Sequence, residues 1–288
     1  MDNISWIQNF LGPLLQFYRS LPAGIGGKGW VFAICMAIFF YFFILATERA
    51  YGTRTDNYRS RNFLHDIVYW MYLRSTLHSV LLFGLAGVLL SHDPKSLGYT
   101  PPFAHLPKWI QLILFLIFND FVFYWWHRAT HHFKFLWAFH AMHHSQQRLT
   151  FATGARFHPI ETLAGNFVVV IPGLLLGFNG LLTLTLIVVL TIQAEIEHTQ
   201  IPWRFGPLYW VLVSPVYHSY HHGVSAEYRD KHFSQTFVIW DHLFGTAVKR
   251  NIPPPTTFGV PDMNPKSFVE TLVAPFRLLH QYYVARRI

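Results

Sequence analysis

The chain has 288 residues, 52% of them hydrophobic and 18% aromatic. Only 12% are charged, about half the fraction of an ordinary soluble domain. The apolar residues are gathered in long runs, which disfavours a water-soluble globule and points to a membrane protein forming one domain or a bundle with a cap. The net charge of +8 lies mostly beside apolar spans, at Arg49, Arg54, Arg59 and Arg61, where lipid headgroups explain it better than nucleic acid. No basic stripe interleaved with aromatics and no zinc-finger spacing is present. Cys35 is the single cysteine, which excludes an intrachain disulfide framework and cysteine-ligated iron–sulfur clusters.

In chain order, residues Met1 to about Lys28 are mildly apolar and end in a turn at Ala23-Gly24-Ile25-Gly26-Gly27. No cleavable leader is visible, so the first span is expected to serve as the insertion signal. That span is Trp30 to Ala46, close to the length that crosses a hydrocarbon core of roughly 30 Å. A basic loop covers Glu48 to Asn62. Phe63 to Leu90 is apolar but carries Asp66, Arg74 and His78, and reads as an interfacial helix leading into a span or one long tilted helix. Ser91 to Pro107 is a proline-rich loop. Trp109 to Trp126 is the next span and runs without a breaker into His127. Leu163 to Ile192 reads as a hairpin turning at Gly177-Phe178-Asn179-Gly180, with arms short for crossing, in preference to one kinked span.

Histidine carries the chemistry of this sequence, with 18 in all. His127 and His131, four apart, share a helix face, whereas His132 points about 100° away. His140, His143 and His144 form HAMHH, and His218, His221 and His222 repeat that spacing in HSYHH. His198 stands alone between them. Nine imidazoles are too many for one ion and enough for two, and their neutral nitrogens let two divalent metals sit close together. His65, His78, His92, His105 and His280 read as interface or hydrogen-bonding residues. His158 is a ligand or a supporting donor, His232 and His242 are supporting or structural, and His132 packs or meets a headgroup. Asp120, Glu161, Glu197 and Asp241 are the carboxylates assigned to the active site, with Glu195 and Asp230 as further candidates to orient ligand imidazoles. Asp120 stands out because it falls inside an apolar run.

These residues resemble the fatty acid hydroxylase/sterol desaturase superfamily. The pieces are DFVFYWWHRATHH, FLWAFHAMHHS, RFHPIE, EHTQIPW, SPVYHSYHH and WDHLFGT, over roughly Asn119 to Thr246. The family's three histidine boxes fall on His127/His131, His140/His143/His144 and His218/His221/His222, and its additional histidine on His198. Three departures stand out: His242 replaces an arginine, His232-Phe233 replaces an Asn-aromatic pair, and Gln200 replaces an asparagine. The resemblance implies an all-α fold: an integral-membrane helical bundle whose extramembrane helical cap carries a histidine-ligated dinuclear metal site. It divides the chain into a membrane-spanning region (1–108), a catalytic domain (109–250) and a C-terminal tail (251–288).

The implied cofactor is two iron ions, with zinc in a substituted form. The implied reaction is hydroxylation of a sterol, fatty acyl chain, sphingolipid, ether lipid or carotenoid with molecular oxygen, with desaturation as the alternative outcome. Electrons are expected from a separate electron-transfer protein and its reductase, because no dinucleotide fingerprint or haem segment is present; no nucleic acid partner is expected. A metal-dependent lipid hydrolase and a metal transporter are the competing readings. Against the first stand the number of histidines and the lack of HExxH; against the second, the clustering of ligands at one end of the spans. The expected location is a membrane, the inner membrane of a bacterium or the endoplasmic reticulum of a eukaryote, with the histidines on the cytoplasmic side.

Overall fold

Backbone buried in an apolar medium must satisfy its hydrogen bonds within the segment, so apolar runs of this kind coil into helices. The computed structural model describes residues 27–53, 55–73, 99–178, 180–249 and 251–285, without 262, 264 and 266. Among these residues the regular structure is helical, and strand pairing is limited to two isolated bridges, Leu212 with Phe237 and Gly223 with Phe258. Readings placed on residues 1–26 and 74–98, including most of the Phe63–Leu90 run with His78, and His92, lie outside the described residues, as does Asn179.

Helix α1 (Gly27–Ala50) contains the first expected span. It turns Ile38, Phe39, Phe42 and Phe43 outward while burying Ile44, Leu45 and Glu48 near its C-terminal end. After the 3-10 turn Asp56–Arg59 comes α2 (Arg61–Leu73). Tyr58, Phe63, Phe151 and Ile201 join Ile44 and Leu45 in a core that ties these two helices to the later part of the chain.

Helix α3 (Lys108–His132) follows Pro107 and ends where Phe133 turns extended. Its 25 residues reach about 37 Å. The side it buries is the polar one: Gln111, Asn119, Asp120, His127 and Thr130 face inward with Phe115 and Tyr124. The side it exposes is Trp109, Leu112, Ile113, Ile117, Phe121 and Trp125. This inverts the water-soluble pattern and matches a helix whose outer surroundings are hydrocarbon. A single residue, Phe133, separates it from α4 (Lys134–His144).

The expected hairpin is present, as α5 (Pro159–Leu176) and α6 (Gly180–Glu197). His158 caps α5 by accepting from Ile160 N at 3.2 Å. Gly177 ends it at φ +83°, and a Cβ there would lie 2.5 Å from Pro101 Cβ, so both backbone and space demand glycine. Each arm has 18 residues, about 27 Å. By length and composition, α3 and α5 are the described helices apolar enough to cross a membrane. Helix α3 packs against both α5 and α6, and Phe115, Val169 and Phe178 close the bundle at the hairpin end. All the histidine boxes gather at the opposite end.

Beyond the bundle lie the 3-10 turn Gly206–Trp210, α7 (Pro215–His221) and α8 (Ile239–Leu243). The last segment, 251–285, holds α9 (Phe268–Val284), capped by Ser267. It packs against α4, with Phe276 against Phe139 at 5.6 Å between ring centroids, and Thr271 bonded to Tyr69 of α2. The C-terminal segment thereby braces the helix that carries HAMHH.

Candidate metal centre

Four separate pieces of chain deliver the nine clustered histidines to one place. The last two turns of α3 supply His127 and His131; the last turns of α4 supply His140, His143 and His144. His198 follows α6, and α7 with its C-cap supplies His218, His221 and His222. They sort into two groups. His127, His131, His140, His144 and His221 form the first, and His143, His198, His218 and His222 the second; within each, one ring nitrogen per residue lies within 4.8 Å of the others. The groups adjoin, with His144 and His222 ring centroids 4.5 Å apart.

Most of these rings are oriented through Nδ1. His127 Nδ1 donates to Phe233 O at 3.0 Å and His221 Nδ1 to Lys231 O at 2.8 Å. His198 Nδ1 donates to Ala194 O at 2.6 Å and His140 Nδ1 to Glu161 Oε1 at 2.6 Å. His131 Nδ1 faces Asp230 Oδ1 at 3.3 Å. A neutral imidazole that donates through Nδ1 carries its lone pair on Nε2. Nε2 atoms face each other across both groups: His131–His144 and His144–His140 at 3.2 Å, His198–His143 at 3.2 Å, His198–His218 at 3.0 Å, His218–His222 at 3.2 Å, while His143, His218 and His222 leave Nδ1 buried and unmet. His127 Nε2 and His221 Nε2 are buried and meet no partner. Converging lone pairs repel each other unless a cation sits among them, and N···N separations of this size suit ligands about 2.1 Å from a shared ion. The donor set therefore fits metal. Burial holds His140, His143, His144, His218, His221 and His222 well below the usual histidine range, and brings His198 down to about 4. The rings are thus neutral at physiological pH, the form that binds metal.

The four assigned carboxylates take different positions. Glu161, in the first turn of α5, holds His140 and lines the cavity described below. Glu197 lines the same cavity and accepts from Gln193 Nε2 at 2.7 Å. Asp120 and Asp241 contact no ligand histidine through their carboxylate oxygens. Asp120 accepts from Thr236 N at 2.7 Å, Phe237 N at 3.0 Å and Trp240 Nε1 at 2.8 Å. Asp241 accepts from Phe233 N, Ser234 N, Tyr217 Oη and Thr246 Oγ1 at 2.6–3.1 Å. Both brace the loop Asp230–Phe237. The reason is burial: a carboxylate without solvent needs several donors, and loop N–H groups supply them.

That loop orients three ligands at once, through Asp230, Lys231 O and Phe233 O. Asp230 and His232 adopt left-handed backbone at φ +56° and +55°, a conformation that persists only where surroundings enforce it. His232 supplies part of the enforcement: Nδ1 donates to Tyr217 O at 2.8 Å, and Nε2 accepts from Val248 N at 2.9 Å. His232 is thus structural. His132 and His242 are exposed and lie outside both groups. His158 caps α5 and its Nε2 faces Leu272 O, so it is not among the clustered rings.

Residue types alone could not reveal the three carbonyl acceptors, nor the role of Arg156. Arg156, 1% exposed, pairs with the fully buried Asp66 of α2 and donates to Met142 O and Ser145 Oγ at the end of α4. It locks the HAMHH turn to α2. The carboxylate of Asp66 inside an apolar run was its one visible signal. Phe157 stacks on His143 at 4.2 Å and 10°.

A cavity of about 180 Å³ opens on the centre from among α3, α5 and α6. His127, His140, His143, His198 and His218 form one end; Phe123, Trp126, Phe157, Val169 and Leu190 are among its apolar walls.

Residues 112–246 match the fatty acid hydroxylase family. All nine clustered histidines lie within residues 112–246. Over 170 residues the chain is 33% identical to the ornithine lipid hydroxylase OlsE of Rhizobium tropici, covering 59% of this chain and 51% of that protein. It is 31% identical over 132 residues to the alkylglycerol monooxygenase of Homo sapiens, covering 46% of this chain and 29% of that one. The very-long-chain aldehyde decarbonylase GL1-8 of Oryza sativa subsp. japonica is 34% identical over 151 residues, covering 49% and 54%. The chain thus spans about half, or less, of the length of these relatives. No solved structure matches.

Proposed function

We propose that this chain is a membrane-bound di-iron oxygenase that hydroxylates a lipid. The carrying observation is the sorting of nine histidines, eight of them buried, into adjoining groups of five and four whose Nε2 atoms converge. One group suits one ion, and neutral imidazoles suit iron. Two of the three relatives above are named as a hydroxylase and a monooxygenase, which supports oxidative lipid chemistry.

When bound, reduced iron supplies the oxygen activation and C–H cleavage that no side chain can perform. Overall, one oxygen atom of O2 enters the C–H bond and the other leaves as water, consuming two electrons and two protons. The electrons are assigned to a separate electron-transfer protein and its reductase. The chain's own part is orientation and exclusion of water. Glu161, Asp230 and the three carbonyls fix ring tautomers and directions, while Phe123, Trp126 and Phe157 line the histidine end of the cavity with apolar surface.

The basic loop after α1 lies at the histidine end. Glu48 Oε1 accepts from Gln200 N at 2.9 Å, and Arg148 pairs with Asp56 at 2.6 Å. The positive-inside rule then assigns the loop, and with it the metal centre, to the cytoplasmic face.

Metal content and oxygen uptake test the reading, on protein purified with its lipids and given a reducing system, with His143→Ala beside it. Two irons per chain and a lipid heavier by one oxygen atom, both lost in the variant, are expected. A loss of two hydrogens instead identifies a desaturase. One metal with hydrolytic products and no oxygen uptake overturns the proposal.

A further inference from the structure

Away from the metal centre, the cap carries an apolar face and a basic cavity side by side. Leu208, Trp210 and Val211, in and just after the 3-10 turn, are 47–52% exposed. Ile239 and Leu243, four apart on α8, are 58% and 64% exposed. The bridge between Leu212 and Phe237, with Val238 N donating to Val211 O at 3.1 Å, sets the two pieces beside each other. Exposed apolar residues gathered in this way mark an interaction surface.

The lipid-facing side of α3 shows what covers it. Trp240 of α8 meets Phe121 at 5.1 Å, and Phe244 meets Trp125 at 4.9 Å, between ring centroids. Phe121 and Trp125 belong to the row that α3 turns outward, so α8 extends that row onto the cap. Three residues on, Arg128 lays its guanidinium over Trp125 at 5.4 Å. Basic side chains lie this way where hydrocarbon gives way to headgroups.

Beside this face lies a cavity of about 630 Å³. Arg204, Trp210, His242, Lys249 and Asn251 are among its walls, and no described aspartate or glutamate lines it. The Arg204 guanidinium lies over the Tyr209 ring at 5.5 Å. Neither Arg204 nor Lys249 forms an ion pair among the described residues. Behind the wall, Asp241 bonds to Tyr217, but it is fully buried and four donors fill its oxygens. Metal held at His218, next to Tyr217, would add positive charge. The field at this cavity therefore favours an anion, and an arginine beside a lysine suits a phosphate.

We propose that this corner of the cap binds an anionic phospholipid of the leaflet at the histidine end. Arg204 and Lys249 hold its phosphate, and its acyl chains lie on Trp210, Val211, Ile239 and Leu243. A soluble anion would use the basic wall and leave the apolar face bare; a lipid meets both. The site is separate from the cavity that opens on the histidines, and it assumes nothing about the reaction.

The test uses the full chain in phosphatidylcholine nanodiscs holding phosphatidylglycerol as the minor lipid. Either lipid carries a photoreactive diazirine, in the headgroup or the acyl chain, and labelled peptides are mapped by mass spectrometry. Mole for mole, headgroup-labelled phosphatidylglycerol is expected to mark Arg204–Trp210 and His242–Asn251 about fivefold more than phosphatidylcholine. Acyl-chain probes should mark Ile239 and Leu243. Arg204→Gln joined to Lys249→Gln should bring the two headgroup probes level, while metal content and the labelling of Ile113 and Ile117 on α3 stay native. Arg204→Lys, which keeps the charge, should retain the preference. Equal marking by both headgroups, or a preference that survives the double variant, overturns the proposal. Loss of the headgroup label to excess glycerol phosphate would point to a free anion and overturns it too. So does marking of Leu208, Ile239 and Leu243 by a water-soluble reagent and not by acyl-chain probes, which would show a face open to a protein partner.

Discussion

Glu161 Oε1 lies 2.6 Å from His140 Nδ1, and both residues are buried. The carboxylate fixes the tautomer that leaves the His140 Nε2 lone pair facing His144. Glu161→Ala is expected to lower metal affinity about 10–100-fold, with Glu161→Gln between it and the native protein because the amide oxygen still accepts. Metal titration of the purified variants checks this; unchanged affinity in Glu161→Ala would show that packing alone orients the ring.

Neighbouring histidines should differ sharply. His131 belongs to the five-histidine group, while His132 is exposed one position on. His131→Ala should cost bound metal and His132→Ala should leave metal content unchanged. Equal losses in the two variants would contradict the helix-face assignment.

Asp241 acts on the centre through the backbone. Its two oxygens accept from four donors, and they hold the loop whose carbonyls orient His127 and His221. Asp241→Asn turns one acceptor into a donor and is expected to cost roughly 2–3 kcal/mol of stability. The five-histidine group should empty first, so metal per chain should drop toward half before the fold is lost. Thermal unfolding and metal analysis on the same sample separate these effects.

Arg156 and Asp66 form a pair with almost no exposure. Arg156→Ala leaves the buried Asp66 carboxylate without its counter-ion, with Gln146 Nε2 as its remaining donor, and takes a donor from Met142 O and Ser145 Oγ, and about 3–5 kcal/mol of stability should go. Joining Asp66→Leu to Arg156→Met should recover most of it, since an apolar pair replaces a buried ion pair at little cost. A double variant as unstable as Arg156→Ala would show that the bonds to Met142 and Ser145 carry the effect.

Gly154 leaves no room for a methyl group. A Cβ there would lie 2.9 Å from Ala194 O and 3.1 Å from His198 Nδ1, the two atoms of the bond that orients His198. Gly154→Ala should weaken the four-histidine group by about tenfold or more in metal affinity, by analogy with loss of other orienting partners. Native metal binding in this variant would show that the carbonyl can yield.

The sequence by itself determined the helical architecture, the α5–α6 hairpin and the nine histidines, because each rests on local periodicity. Spacings of three and four place side chains on one helix face, apolar runs set helix lengths, and Gly-Phe-Asn-Gly marks a turn. The resemblance carried by those boxes pointed to the family that residues 112–246 match. Tertiary structure alone decided how the histidines divide. HAMHH gives His140 and His144 to one group and His143 to the other, and HSYHH splits likewise, because one helix face lies between two sites. It also decided which carboxylates meet histidine. Asp120 and Asp241 have the chemistry to orient an imidazole, yet the loop 230–237 packs against them, and its N–H groups, with Trp240, Tyr217 and Thr246, fill their oxygens. The carbonyls of Lys231, Phe233 and Ala194 were invisible for a plainer reason: every residue has one, and only the fold chooses which of them a histidine will face.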